Sequence, residues 1–273
     1  MSRMGVSVQE DDTIRVGTLN LRNTADRWPE RYPLLIEQLS QLSPDIIGFQ
    51  ELRRPSLQGW RIEQGANARR CEDEGQYRLH RQWKTGIRRF WEGLAVLTEL
   101  SALEHERLDL RGGNRIAQRL RLDLGRGRTL DFYNTHLHHP DTEHALRTRQ
   151  AERILTWMRP HDQSPQVLVG DFNARPDDPA VRLLTGSGRL RSAFSMIHGA
   201  EPFQTVPTPL TAHRGSEPGV IDYILVNNLI LVHDAWLTFD RTHPDDEQLA
   251  ASDHFGLAAT ISLLPDSDQS YGD

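Results

Sequence analysis

The feature of this sequence that most constrains its fold is a repeated pattern. Short apolar segments of strand length end on, or beside, an acid, amide or imidazole side chain. TIRVGTLN ends on Asn20, and DIIGFQE ends on Glu51. The other polar residues placed in this way are Asn134, His136, Asp171, Asn173, Asp222, Asp253 and His254. Because strand ends in layered α/β folds converge on a common edge, separate segments can deliver these side chains to one pocket.

The spacing of apolar residues predicts helices as well as strands. Residues 32–42 and 143–158 have apolar side chains at helical spacing. The alternation in residues 116–124, the GRGR turn and the apolar run over 129–137 predict a β-hairpin. Further strands are predicted at 13–20, 45–51, 93–99, 166–170, 220–226, 229–239 and 254–264. This series of elements permits a layered α/β fold.

The length of 273 residues suits one large domain, and we find neither an internal repeat nor a linker. We expect a core over about residues 13–264, followed by a frayed polar tail from residue 265. Residues 53–92 differ in composition, with ten basic against five acidic residues and interleaved aromatics. We expect this basic segment to form a long, partly irregular excursion from the core.

Composition and charge exclude several classes of protein. The net charge of −6 argues against nonspecific coating of nucleic acid, although a local basic groove is compatible with it. A single cysteine, Cys71, excludes an internal disulfide framework and a cysteine zinc cluster. No apolar run has the length of a signal peptide or of a membrane span. We therefore expect a cytoplasmic protein with no membrane partner and no obligate protein partner.

The residue types in the polar set suit a divalent metal. Glu51 and Asp253 offer hard oxygen ligands and Asn20 a neutral one, which favours Mg²⁺ or Mn²⁺ over zinc. An aspartate within hydrogen-bond reach of His254 would raise the pKa of the imidazole and keep a cation near a phosphate. The set therefore indicates metal-assisted chemistry on a phosphorylated substrate.

Six motifs carry a family resemblance. NLRN, FQEL, NTHLHHP, GDFNARPDD, IDYIL and SDHFGL, between about residues 14 and 262, resemble the ordered signature of the endonuclease/exonuclease/phosphatase superfamily. NTHL stands where the apurinic endonuclease branch has a tyrosine-bearing motif, so the chain is more similar to generic bacterial members related to the deoxyribonuclease-I-like and deadenylase-like branches. The resemblance implies a four-layer α/β/β/α sandwich with two mixed, mainly antiparallel sheets.

The resemblance also implies a Mg²⁺-dependent phosphoester hydrolase, with Mn²⁺ as an alternative ion. By motif, Glu51 would be the principal metal ligand, with Asn20 and Asp253 nearby. Asp171 would position or deprotonate the attacking water, and Asn173 would hold a phosphate oxygen. Charge neutralisation and in-line positioning of water would then drive the reaction.

The remaining residues of the set receive roles at the phosphoryl group. His136 would donate to the phosphoryl oxygens, and His254, oriented by Asp222, would stabilise the transition state. Asn134, two residues before His136, would face the same side of its strand and bind substrate. Arg115 stands where many relatives place an arginine that faces phosphate.

The sequence favours a phosphodiesterase acting on nucleic acid or a nucleotide-like substrate. The basic segment 53–92 has the charges and aromatics of a base-stacking surface, or is a solvated insertion whose arginines pair with acids. The alternatives are a phosphatase or phosphodiesterase of a small molecule or lipid (inositol phosphate, a sphingomyelin-like lipid), and a non-catalytic module that binds a phospholigand. A glycosidase using Glu51 and Asp171 leaves the paired histidines poorly explained.

Overall fold

Two six-stranded β-sheets pack face to face in the computed structural model of the chain. The structure describes residues 13–54, 57–71, 74–84, 92–186 and 188–265. Its strands are β1 (Ile14–Asn20), β2 (Ile46–Arg53), β3 (Arg78–Trp83), β4 (Glu92–Thr98), β5 (Ser101–Asp109), β6 (Ile116–Asp123), β7 (Thr129–His136), β8 (Gln166–Asp171), β9 (Leu190–Ser192), β10 (Asp222–Asn227), β11 (Ile230–Thr238), β12 (Thr242–His243), β13 (Asp246–Ala250) and β14 (Gly256–Leu263). Its helices are α1 (Trp28–Leu42), α2 (Gln58–Asn67), α3 (His144–Met158), α4 (Pro179–Gly186), α5 (Ala193–His198) and α6 (Pro209–Ala212).

Both large sheets are mixed and mainly antiparallel. The first has the strand order β11-β14-β1-β2-β4-β3, and the second has the order β5-β6-β7-β8-β10-β9. Each contains one parallel pair, β1 with β2 and β7 with β8. The short strands β12 and β13 pair separately. In each sheet the parallel pair brings two strand ends to the same edge, where the polar residues of the sequence pattern lie.

Apolar side chains fill the space between the sheets. Val16 and Leu257 of the first sheet and Phe132 and Val169 of the second belong to one buried cluster. Along β1 and β8 nearly every position is buried, because one face of each strand meets the other sheet and the opposite face meets a helix. The continuous apolar runs in the sequence reflect this burial on two sides.

Helices cover the outer faces of both sheets. Leu35 of α1 packs in a cluster with Phe49 of β2, and Ile154 of α3 packs in another with Leu168 of β8. The helix α1 ends at Leu42. Ser43 caps it, with its N–H bonded to the Leu39 carbonyl and a left-handed φ of 42° that turns the chain out of the helix. The four layers α/β/β/α are therefore confirmed.

The expected excursion over residues 53–92 is wrong for the described part of that segment. Residues 58–67 form α2, and residues 78–83 form an edge strand of the first sheet. Ile62 and Tyr77 are fully or almost fully buried in the cluster under α1 and α2. The basic side chains dominate the composition, but a few well-spaced apolar side chains decide the packing. Residues 55–56, 72–73 and 85–91 of this segment lie outside the described part.

Two further expectations concern the ends of the fold and the membrane. The described chain reaches residue 265, so the frayed tail lies outside it, and the single-domain boundaries stay a prediction. Among the described helices, none has the length and apolar composition needed to cross a lipid bilayer.

Candidate active site

Three neighbouring strands of the second sheet place three predicted site residues side by side. In the register of β7, β8 and β10, Asp171 pairs with His136 on one side and Asp222 on the other. All three are at most 3% exposed. Gly170 has a φ of 146°, and a Cβ at this position would lie 2.0 Å from the Thr135 carbonyl oxygen. Only glycine therefore allows β8 to run this close to β7 just before Asp171.

His254 is held by two aspartates. Its Nδ1 lies 2.9 Å and 3.2 Å from the two carboxylate oxygens of Asp222, and its Nε2 lies 3.9 Å from Oδ2 of Asp171. Burial disfavours the charged ring, but the carboxylates of Asp222, Asp253 and Asp171 outweigh it and raise the pKa of His254 well above its usual value. The raised pKa favours the imidazolium form of His254 at neutral pH, and Asp222 holds the ring through Nδ1.

Asp171 is the centre of the arrangement. Its carboxylate accepts hydrogen bonds from Asn20 Nδ2 at 2.9 Å and from the Asn173 N–H at 2.8 Å. The Nε2 of His136 lies 3.3 Å from Oδ2. Burial and, to a lesser extent, repulsion from Asp222 raise the pKa of Asp171 to about 7, although His254 opposes this shift. A carboxyl group with a pKa near neutrality is suited to accept a proton from water.

His136 has the opposite electrostatic environment from His254. Complete burial and the nearby cations Arg115 and Lys84 lower its pKa well below the usual value, so the ring is neutral. Its Nδ1 is buried and has no hydrogen-bond partner among the described residues. The site thus combines a neutral imidazole, a charged imidazole and an aspartate between them.

Two groups of acid and imidazole side chains have the spacing of a metal site. One consists of Glu51, Glu92 and His136, and the other of Asp171, Asp222 and His254; in each, the candidate ligand atoms lie within 4.8 Å of one another. Burial, and then repulsion from Glu92, raises the pKa of Glu51. Carboxylates held together against their mutual repulsion are the donor set that a hard divalent cation requires. The described residues therefore fit a bound Mg²⁺ or Mn²⁺ ion.

The backbone of β2 determines where Glu51 points. The pairing of β2 with β4 is irregular between Phe49 and Leu52, and Glu51 has a left-handed φ of 57°. In a regular strand the side chains of Glu51 and its neighbours would point to alternate faces of the sheet. A bulge breaks this alternation and redirects the side chain. Such irregularities are frequent next to active sites.

The other two expected metal ligands have protein partners. Asn20 donates to Asp171 and accepts from the Arg22 N–H, and Asp253 lies 3.3 Å from Nε of Arg22. The charge of Asp253 contributes to the raised pKa of Glu51, which indicates that the two carboxylates lie on the same side of the molecule. The metal-ligand roles of Asn20 and Asp253 stay predictions.

Asn173 and Arg115, both expected at the phosphoryl group, differ in how many of their side-chain hydrogen-bond donors already have a protein acceptor. The Nδ2 of Asn173 donates to the Leu137 carbonyl at 3.1 Å, and its φ of 47° is left-handed. Arg115 is only 6% exposed, and its Nε and Nη1 have no hydrogen-bond partner within the described chain. Its charge interacts with those of Glu92, Asp171 and Glu51, which belong to the two candidate metal-binding groups. Arg115 therefore has the position and the free donors of a phosphate ligand.

The expected role of Asn134 in substrate binding is corrected by its contacts. Asn134 is fully buried, and its Nδ2 donates to the carbonyls of Phe49 and Ala95 in the first sheet at 3.0 and 2.9 Å. Its Oδ1 accepts from Gln50 Nε2 at 2.7 Å. With both amide atoms engaged across the core, Asn134 ties the two sheets together below the site.

We expect Asn134→Ala to lower the free energy of unfolding by about 2–3 kcal/mol, because it removes the side-chain donor to two buried carbonyls and one acceptor of the Gln50 amide. The KM for a hydrolysed phosphoester should stay within about twofold of the wild-type value. Urea denaturation and steady-state kinetics measure the two effects. A large rise in KM with unchanged stability would show that Asn134 binds the substrate.

The pattern of polar residues at strand ends does not include Glu92, because Glu92 lies at the start of a strand. Glu92 begins β4, which runs antiparallel to β2, and it pairs with Arg53 beyond Glu51. The start of an antiparallel strand reaches the same sheet edge as the end of its neighbour. An acid just before the apolar run GLAVLT was therefore a usable signal.

A pocket of about 710 Å³ opens beside the site. We call it the Arg175 pocket; its lining includes Arg147, Asn173, Arg175, Asp177, Asp178 and Glu217. Asp178 forms an ion pair with Arg147 Nη2 at 3.0 Å and lies 2.6 Å from His144 Nδ1. The remaining acids leave the pocket without the net positive charge that a run of phosphates would require.

The chain is similar to several solved structures at low sequence identity. An endonuclease/exonuclease/phosphatase family protein from Bacteroides thetaiotaomicron has a TM-score of 0.75 and 18% identity, covering 93% of this chain and 98% of that one. For D. rerio TDP2 in complex with a single-strand DNA product the values are 0.75, 15%, 92% and 99%. For a mannosyl-6-phosphatase from Bacteroides thetaiotaomicron they are 0.72, 19%, 92% and 100%. These likenesses show the shared fold.

Comparison with curated protein sequences gives no match. The sequence profile of the endonuclease/exonuclease/phosphatase family, in contrast, matches residues 17–254, which contain every candidate site residue described above. The fold, with its two facing mixed sheets and outer helices, agrees with that match. The chain therefore belongs to the endonuclease/exonuclease/phosphatase family.

Proposed function

We propose that this protein is a Mg²⁺-dependent phosphoester hydrolase in which water attacks phosphorus in line. The observation that carries the proposal is the position of buried Asp171 between neutral His136 and charged His254. A proton acceptor between a neutral and a cationic donor matches the needs of phosphoryl transfer to water. The acid group of Glu51 and Glu92 lies beside it.

The side chains divide the work. Asp171, with a pKa of about 7, accepts a proton from the attacking water. His254, held as imidazolium by Asp222, donates to the phosphoryl oxygens as negative charge develops on them. Arg115 offers unpaired N–H groups to the same oxygens, and Asn173 holds the loop beside them.

Glu51 and Glu92 would hold the metal, with Asn20 and Asp253 as further candidate ligands. When bound, a divalent cation neutralises the phosphoryl charge and polarises the phosphorus centre. Carboxylate oxygens favour Mg²⁺, with Mn²⁺ as the alternative ion.

A phosphodiester in nucleic acid or a nucleotide-like molecule is the substrate class we favour. The guanidinium of Arg54 lies 5.7 Å from the ring centroid of Trp83, a pairing of cation and aromatic that suits bases and phosphates. Some of the positive charge in segment 53–92 is neutralised, since Arg70, Arg81 and Lys84 pair with acids. Zebrafish TDP2, which has this fold, is known in complex with a single-strand DNA product.

The Arg175 pocket favours a second candidate, hydrolysis of a small phosphomonoester or diester. It begins at Asn173 and is bordered by the acids Asp177 and Glu217, which suit hydroxyl groups better than a polyanion. A mannosyl-6-phosphatase shares the fold. A sugar or inositol phosphate would place its ring in this pocket.

We expect the purified protein to hydrolyse at least one phosphoester when Mg²⁺ is present. The panel should contain single- and double-stranded DNA, RNA, inositol phosphates, sugar phosphates and a sphingomyelin-like diester. Chelation by EDTA should abolish turnover, and Mg²⁺ or Mn²⁺ should restore it. Glu51→Gln should raise the Mg²⁺ concentration for half-maximal rate at least about tenfold, because it removes a charged ligand.

Glu37→Gln provides the matched control, because the Glu37 side chain is about half exposed on α1 and pairs with Arg241 on the surface. It should leave the Mg²⁺ dependence unchanged. Phosphate binding without turnover of any panel member would favour the non-catalytic alternative. Metal-independent cleavage of aryl glycosides would contradict phosphoester chemistry altogether.

A further inference from the structure

The chain has 32 basic residues, and Lys84 is the single lysine among them. It follows β3, and its side chain is only 10% exposed. Its Nζ donates to Oε2 of Glu92 at 2.5 Å. Glu92 belongs with Glu51 and His136 to one candidate metal-binding group. Lys84 is therefore a mostly buried cation in the wall of the candidate active site.

A second cation interacts electrostatically with Lys84. The charge of Lys84 interacts with that of Arg115 as well as with those of Glu92 and Glu51. Arg115 is itself 6% exposed and has two buried guanidinium nitrogens, Nε and Nη1, without partners in the described chain. Because a buried N–H without an acceptor costs free energy, such groups usually meet a ligand or water. Two cations that share one neighbouring acid leave room for a second anion.

We propose that Lys84 and Arg115 together bind the phosphoryl group of the substrate, with Lys84 exchanging Glu92 for a phosphate oxygen. The inference rests on the proposed function, since it names a ligand of the same phosphoryl group. Arginine offers a planar fork of donors, and lysine offers a compact charge on a flexible stem that can change partners. His139, on the exposed rim, interacts with both cations, so the pair extends from the interior towards solvent.

The single lysine allows this contact to be observed directly. Protein produced with ¹³Cε-labelled lysine should show one Cε resonance, that of Lys84. Addition of inorganic phosphate in the presence of Mg²⁺ should move this resonance along a saturable curve. Sodium chloride at the same ionic strength should not do so, because screening is not saturable binding.

Three variants distinguish a role of Lys84 in binding phosphate from a role only as the ion-pair partner of Glu92. Lys84→Met should weaken phosphate inhibition of turnover about tenfold or more, the loss expected for one charge-assisted contact. Because Glu92 is also a candidate metal ligand, these variants are compared without Mg²⁺. Glu92→Gln should then strengthen binding of phosphate by freeing Lys84, and Lys84→Met in the Glu92→Gln background should remove that gain. Binding in the two Glu92→Gln proteins is measured by calorimetry, so no activity is needed.

Arg69→Met is the matched control, since Arg69 is an exposed cation of the same segment 53–92. It should change neither the resonance titration nor the phosphate inhibition constant, and thermal melting should confirm that each variant is folded. Equal phosphate affinity in Glu92→Gln and the double variant would overturn the inference. Active wild-type protein with an unchanged inhibition constant in Lys84→Met would overturn it too, while leaving the proposed function standing.

Discussion

Replacement of Asp171 by asparagine is expected to lower kcat by about 10³- to 10⁴-fold. Asparagine has nearly the same shape, so it can still accept from the Asn173 N–H and leave the loop in place. It has no charge and cannot take a proton from water. It also removes the anion that faces Nε2 of both His136 and His254. The loss therefore falls on the chemical step rather than on folding.

The measurement is kcat and KM with Mg²⁺, for the best substrate of the panel. Asp131→Asn is the control, because Asp131 is equally buried and ion-paired, with Arg119 Nη2 at 2.7 Å, but lies at the other end of β7. This control should lose stability and keep kcat within about twofold at a temperature where it is folded. A kcat for Asp171→Asn within tenfold of wild type would show that Asp171 is not the proton acceptor.

Replacement of Arg31 by methionine is expected to lower the free energy of unfolding by about 3–5 kcal/mol. Arg31 is fully buried, and its guanidinium lies 5.3 Å from the ring centroid of Trp28. It donates to backbone carbonyls only; these belong to Leu21, Arg22, Asn23, Ala25, Asp26 and Ala251. Methionine fills much of the volume but removes the guanidinium donors from these carbonyls.

The same substitution should impair the site, because Arg31 joins two loops that end in candidate ligands. The loop after Asn20 contains left-handed Arg22, Asn23 and Asp26, a strained conformation that needs support. The carbonyl of Ala251 fixes the other loop just before Asp253. Relaxation of either loop would change where Asn20 and Asp253 point.

Chemical denaturation and Mg²⁺-dependent kinetics test both effects. Arg15→Met is the control, since exposed Arg15 donates Nη1 to a single carbonyl, that of Leu42, and should cost no more than about 0.5 kcal/mol. A stability loss for Arg31→Met as small as that of Arg15→Met would contradict a stabilising role for the hydrogen bonds from Arg31 to the six backbone carbonyls.

Much of the fold was predictable from apolar periodicity. The strands that end on Asn20 and His136 and the helix over 144–158 lie within a few residues of their predicted bounds. Strand β5 was not predicted, because it is mostly exposed and its residues, SALEHERLD, give no apolar run. The segment 53–92 was misjudged for a related reason, since charge density describes surface chemistry and not packing.

The site shows the same division between local and long-range information. His136, Asp171, Asp222 and His254 were predicted together, because residue type and strand-end position are local properties of the chain. Asn134 was assigned to the substrate on the strength of its two-residue spacing from His136. In the structure its amide forms hydrogen bonds with the opposite sheet, which no spacing within β7 reveals.

The sequence by itself determined the family and the long apolar strands and helices, and it predicted that His136, Asp171, Asp222 and His254 gather at one edge. Only the tertiary structure decided the protonation state of each imidazole, the bulge that turns Glu51, and the entry of Glu92 and Lys84 into the site. The physical reason is that burial and charge depend on neighbours many residues away. His136 and His254 both lie beside Asp171. Burial, together with two cations that are remote in the sequence, keeps His136 neutral, whereas carboxylates keep His254 charged.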